Sequence, residues 1–385
     1  MKKIVGIIAA AALATSAFAE VNFGLSANEA FAPIAYDGDD IVTVGPTATW
    51  NGLNTTNRTG RVGLSVSAEN EVAGVKTDIH MEDNTHDNYF GWVKPFSFLK
   101  ISAGRMDGNW KRLGFGYGAW NTLRPNGIGH EGDDLAFWRP DSGNFAPNFA
   151  LLVTPVEGLE INYDTQVTAG ANNKAYNELW NHARYGVSYS IEGVGTIMAQ
   201  IWGKDKGITK GDTDSKAWGV INAAFQLTGV ENLDAQFGVR VPTTFKPTAS
   251  EDGTADAESA IQFGAGVNYK LDALALHAFF DGRLGSDDGD YGKFGFGIGG
   301  GADFAINDVY TLVGDVRYYS TWYSGTAEGD DHVVFYGGLE HHLTNATLKL
   351  GFAGSTNSLI GNHAKDDGKA QSFTFGVPVV LDINF

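Results

Sequence analysis

The chain has 385 residues, with 27 Lys and Arg against 45 Asp and Glu and a formal net charge of −18. That balance repels a phosphate backbone and excludes a nucleic-acid partner. The absence of cysteine excludes a disulfide framework, and 51 Gly and 10 Pro beside 24 Phe, 14 Tyr and 9 Trp suit extended strands joined by glycine-bearing turns.

Met1, Lys2 and Lys3 form a basic start, Ile4 to Ala14 an apolar stretch, and Ala17-Phe18-Ala19 a small-x-small cleavage site. This predicts a signal peptide over 1–19 and an exported single domain over 20–385. No later segment has the run of apolar residues that a membrane helix needs. Val21 to Ala27 reads either as a piece of strand or as a lead-in, and Ile41 to Trp50 as a strand before a loop at Asn51 to Gly60.

Strand periodicity then recurs with one oily and one polar side. Val75, Thr77, Ile79 and Met81 alternate with Lys76, Asp78, His80 and Glu82; Leu233, Ala235, Phe237 and Val239 alternate with Asp234, Gln236, Gly238 and Arg240. Ile261, Phe263, Ala265, Val267 and Tyr269 oppose Gln262, Asn268 and Lys270, while Ala346, Leu348, Leu350 and Phe352 oppose Thr347 and Lys349. At the end, Phe373, Phe375, Val377, Val379, Leu381, Ile383 and Phe385 share one face.

The connections alternate too. Short ones fall near Glu71 to Gly74, Pro95 to Phe98, Val156 to Gly158, Ile191 to Gly195, Thr228 to Asn232, Leu271 to Ala273, Ile306 to Asp308 and His342 to Asn345. Between them come long polar links near Asp83 to Asn88, Met106 to Asn148, Val167 to His182, Asp205 to Ser215, Pro242 to Glu258, Arg283 to Gly292, Tyr319 to His332 and Ser355 to Gln371. Strict alternation puts all tight turns at one rim of an antiparallel up-and-down meander and all long links at the other. The predicted fold is an all-β transmembrane barrel of about 18 strands, with about 16 as runner-up, short periplasmic turns and long external loops.

The C-terminal run Phe375 to Phe385, a final aromatic preceded by alternating apolar residues, resembles the assembly signal of outer-membrane proteins. The longest link, Met106 to Asn148, follows the fifth predicted strand, where general diffusion porins carry their constriction loop. On these features the chain resembles the Gram-negative porin superfamily. The resemblance implies a bacterial outer-membrane location, insertion by the barrel-assembly machinery, contact with outer-membrane lipid and surface glycolipid, a homotrimer, and passive diffusion of small hydrophilic solutes or ions without a cofactor.

In the long link, the basic Lys111, Arg112 and Arg124 precede the acidic Glu131, Asp133 and Asp134; the inward register adds Lys76, Lys100, Arg184, Arg240, Lys270, Arg317 and Lys349 on the wall. A loop bent inward sets opposite charges across the bore and filters solutes by charge and size. Trp110, Tyr117, Trp120, Phe137 and Trp138 in the same link either anchor it or stack on sugar rings. Acidic turns such as Tyr36 to Asp40, Glu251 to Glu258 and Gly285 to Gly292 are carboxylate clusters that suit solvated outer loops or divalent cations. Two other readings compete with the channel: a surface adhesin or structural barrel acting through its loops, and a barrel-wall hydrolase using His80 or His277. Neither a His-Glu-x-x-His nor a Gly-x-Ser-x-Gly motif occurs.

Overall fold

The computed structural model describes residues 20–36, 40–45, 61–81, 86–106, 110–111, 113, 149–165, 183–203, 219–242, 261–285, 294–320, 331–356 and 373–385. These contain nineteen strands and no helix. In chain order they are β1 (Glu20–Tyr36), β2 (Ile41–Val44), β3 (Arg61–Glu69), β4 (Ala73–His80), β5 (His86–Phe96), β6 (Leu99–Arg105), β7 (Phe149–Val156), β8 (Leu159–Thr165), β9 (Arg184–Ile191), β10 (Gly195–Gly203), β11 (Gly219–Val230), β12 (Leu233–Pro242), β13 (Ile261–Leu271), β14 (Leu274–Leu284), β15 (Phe294–Ala305), β16 (Tyr310–Tyr319), β17 (His332–Leu343), β18 (Ala346–Ser355) and β19 (Thr374–Asn384).

From β3 to β19 each strand pairs antiparallel with the next, and β1 closes the ring by pairing with both β3 and β19. Eighteen strands therefore make a closed up-and-down barrel, and β2 is an extra strand outside the ring. β1 is long enough to meet two partners on one edge: Glu20 to Asn28 pair with β3, and Ala32 to Tyr36 with β2. Its other edge is filled by β19 from Ser26 to Tyr36, so β2 must lie above β3 on the same side.

The predicted strand number holds, but the first strand is not the predicted one. Val21 to Ala27 belongs to β1, the first ring strand, whereas the strand read over Ile41 to Trp50 is confined to Ile41–Val44; 46–50 lie outside the described residues. Every short turn falls where the alternation put it. The turn chemistry is visible in the backbone: Asn232 and Asn345 sit at φ 63° and 60°, and Gly158 at 77°, the left-handed conformation that Asn and Gly adopt at least strain. Asn70 Oδ1 accepts the Val72 and Ala73 amides at 3.0 and 2.9 Å, and Asn307 Oδ1 does the same for Val309 and Tyr310.

Alternation gives the cylinder an oily outside. Ile161, Val187, Ile197, Ile221, Phe237, Ile298, Val316, Leu350 and Phe352 stand exposed around it. So continuous an apolar belt is stable against lipid and not against water. Stacked rings edge the belt at both rims: Phe96 on Phe98 (5.4 Å) beside a short turn, and Tyr36 on Phe375 (5.7 Å) and Phe294 on Phe296 (5.8 Å) at the opposite end. Among the described residues no helix is long and apolar enough to cross a membrane.

Candidate functional site

The strand registers turn one continuous polar face into the bore. Lys76 and Asp78 on β4 lie 3.2 Å apart, and Ser65 Oγ and Asn88 Nδ2 each donate to the Asp78 carboxylate at 2.8 Å. Arg184 Nε on β9 meets Asp164 Oδ1 on β8 at 2.5 Å, and Asn162 donates to the other carboxylate oxygen at 2.9 Å. On β14 and β16, His277 Nε2 lies 2.6 Å from Asp315 Oδ1, with Arg317 Nη2 3.5 Å from the same oxygen and its guanidinium 5.3 Å from the Phe279 ring. Near the ring closure, Lys349 Nζ meets Asp382 Oδ2 at 2.6 Å, and Asn28 donates to Oδ1 of the same carboxylate.

Exposure differs along this face. The Lys76 side chain is 44% exposed and that of His342, near a short turn, 38%, whereas Arg184 and Arg317 toward the long links, His277 in the short-turn half of β14 and Asp315 midway along β16 are 0% exposed. The ion pairs are thus sealed from solvent, and Lys76 and His342 are not.

The chain leaving β6 enters that bore. Glu160, Gly186, Met198 and Ala224 belong to the inward register of β8 to β11. Trp110 Nε1 donates to Glu160 Oε2 at 3.1 Å and Lys111 Nζ to Oε1 at 3.0 Å, while Leu113, 3% exposed, packs with Met198 and Ala224. A Cβ at Gly186 would stand 2.2 Å from Trp110 Cζ3, so only glycine lets the indole lie on the wall. Lys111 is thus paired with the wall. Arg112, Arg124, Glu131, Asp133 and Asp134 lie outside the described residues, as do Tyr117, Trp120, Phe137 and Trp138 and most of the acidic links.

The seven wall cations named from sequence all fall on the inward face, in two environments. Lys76, Lys100 and Lys270 keep contact with solvent; Arg184, Arg240 and Arg317 are buried at 0%, 3% and 1%, and Lys349 is held by Asp382. Sequence reasoning missed Lys94, although it shares the alternation of Phe90 and Trp92, and missed Arg283, which was assigned to a link. Arg283 instead belongs to β14, where it is 6% exposed. It also passed over the carboxylates Glu160, Asp164 and Asp315, because a strand's charges reveal their partners only once its neighbours are known. Among the described residues no group of three His, Asp or Glu can hold a metal.

No protein-family model matches the chain, and no curated protein matches it by sequence. Solved structures do match in fold. The outer membrane protein opdK from Pseudomonas aeruginosa is 10% identical with a TM-score of 0.52, covering 95% of this chain and 99% of that one. OpdQ of Pseudomonas aeruginosa is 9% identical at 0.52 (95% and 98% covered), and OccAB1 of Acinetobacter baumannii 12% identical at 0.51 (95% and 96%). The chain shares the closed-barrel fold of these structures over nearly its whole length.

Proposed function

We propose that the protein is an outer-membrane channel through which small hydrophilic solutes or ions diffuse passively. The observation that carries this reading is the charged inward face of a closed ring of eighteen strands, the size at which a barrel leaves an aqueous bore. In this orientation the short turns face the periplasm and the long links the outside. Signal peptide 1–19 directs export, the assembly machinery inserts the barrel, lipid covers the belt, and copies associate as trimers.

The filter is assigned to the link after β6. The contacts of Trp110, Lys111 and Leu113 support an inward course for the link; on this proposal Glu131, Asp133 and Asp134 oppose the wall cations, with Lys111, Arg112 and Arg124 on the near side. Lys76, Lys100 and Lys270 meet the solute, while Arg184, Arg240, Arg317 and Lys349 shape the field from within their ion pairs and packing. Replacing Glu131, Asp133 and Asp134 together by Gln and Asn shifts the reversal potential toward anions in planar bilayers and changes single-channel conductance. Unaltered selectivity and conductance would assign these carboxylates to the outer surface. Closure in steps of three reports the trimer.

A hydrolase centred on His277 has no support in the geometry, since both the imidazole and the Asp315 carboxylate it touches are sealed from solvent.

A further inference from the structure

We infer that the periplasmic end of the bore carries a binding site for a small oxyanion, built from Lys94, Trp92 and Lys100. The inference deepens the channel reading and rests on it for the direction of transport, but not for the site itself.

Trp92 on β5 points into the barrel and is 9% exposed; its indole edge is seated against Gly74, where a Cβ would come within 2.5 Å of Nε1. Lys94 Nζ stands 5.3 Å from the centroid of the ring and Lys100 Nζ 4.6 Å. The two lysines face each other across the β5–β6 hairpin, at the register shift between Val93 and Phe96. Like charges opposed across a strand pair destabilise it, and here the Lys94 charge acts repulsively on Lys100 and the Glu69 charge attractively. Among the described residues neither ammonium is in an ion pair. This sets them apart from Lys76, Lys111 and Lys349, each of which has its carboxylate.

An indole attracts a cation over its face, so Trp92 holds the two side chains in place without neutralising them. The result is two positive charges, six N–H donors and a fixed aromatic platform beside the turn Ser97–Phe98, at the short-turn rim. The complementary ligand is a small oxyanion with at least two negative charges: a phosphate, or a dicarboxylate. A neutral sugar gains nothing from the paired cations. Lys270, also inward, exposed and near a short turn, has no second cation at a shared ring and serves as the control for a diffuse positive field.

The test is isothermal titration of the full-length protein in detergent with inorganic phosphate, succinate and glucose, separately. The proposal expects saturable binding of phosphate, succinate or both, none of glucose, and about tenfold weaker binding in Lys94→Gln and in Lys100→Gln. Lys270→Gln, which removes one charge of the diffuse field and no part of the paired site, weakens binding by less than either, and near-ultraviolet circular dichroism checks that each variant keeps its aromatic packing. Phosphate alone or succinate alone identifies the oxyanion. Absence of saturable anion binding, equal affinity for glucose, or equal weakening by Lys270→Gln overturns the site. Because titration needs no current, loss of the site and failure of the channel reading are told apart by a parallel conductance recording of the unaltered protein.

Discussion

Arg184 and Asp164 show what the inward residues do for the wall. Both are buried, and the guanidinium finds its carboxylate on the adjacent strand, so the pair couples β8 to β9 at the point where a long link separates them. Removing one partner leaves a charge in a place that water does not reach. Asp164→Leu is expected to destabilise the barrel by about 3–5 kcal/mol, whereas the double change with Arg184→Met recovers most of that loss, because a buried ion pair contributes little beyond an apolar pair of equal volume. Urea unfolding in detergent micelles measures both; a double variant no better than the single one would mean that the pair itself stabilises the fold. At this scale the sequence was half legible. It named Arg184, Arg240 and Arg317 as inward from their place in the alternation, but nothing in a strand's own pattern says whether an inward arginine meets water or a buried carboxylate. That depends on Asp164 and Asp315, which other stretches of chain supply.

The short-turn rim is built by close backbone approach. A Cβ at Gly229 would stand 1.8 Å from the Gly193 carbonyl oxygen, and one at Gly195, where φ is 153°, 2.0 Å from that of Gln226. Thr228 and Gly229 both donate their amides to Val194 O, at 3.0 and 2.9 Å, which locks the β9–β10 turn onto the end of β11. Gly229→Ala pushes backbone against backbone and is expected to cost about 1–3 kcal/mol. Gly193→Ala lies in open space with φ 70° and strains only its own backbone, by about 1 kcal/mol. Melting of the two variants in micelles ranks them; a larger loss for Gly193→Ala would refute the clash. Strands and turns were the most legible level, because alternation and Asn or Gly at tight turns are local signals. The exception was the start of the ring. Ile41 to Val44 alternates like its neighbours, yet pairs only with the upper part of β1, and the length of β1 that makes this arrangement possible is not written in β2.

For the whole molecule the decisive contact is the one between its ends. Every other neighbouring pair in the ring is joined by a link, whereas β1 and β19 meet only by closing nearly the whole chain: Asn28 and Asp382 are 354 positions apart. Contacts of that separation carry the largest loop-closure entropy, so pairing there is expected to form late and to limit the rate at which the barrel completes. The Asp382 carboxylate sits at this seam and gathers Lys349 from β18 and Asn28 from β1. Asp78 is a matched control: it gathers Ser65, Lys76 and Asn88, but within strands that consecutive links already hold together. Each carboxylate's charge-assisted bonds contribute about 1.5–3 kcal/mol, so Asp382→Ala and Asp78→Ala are expected to lose similar equilibrium stability. Their kinetics are expected to differ. If closure limits folding and the seam network forms with it, Asp382→Ala slows refolding from urea into micelles several-fold. Asp78→Ala leaves that rate nearly unchanged if its local network forms outside the rate-limiting step, and then speeds unfolding instead. The compact barrel is separated from the open chain by mobility on unheated gels, and equal slowing in both variants would show that assembly is limited by the local hairpins rather than by closure of the ring.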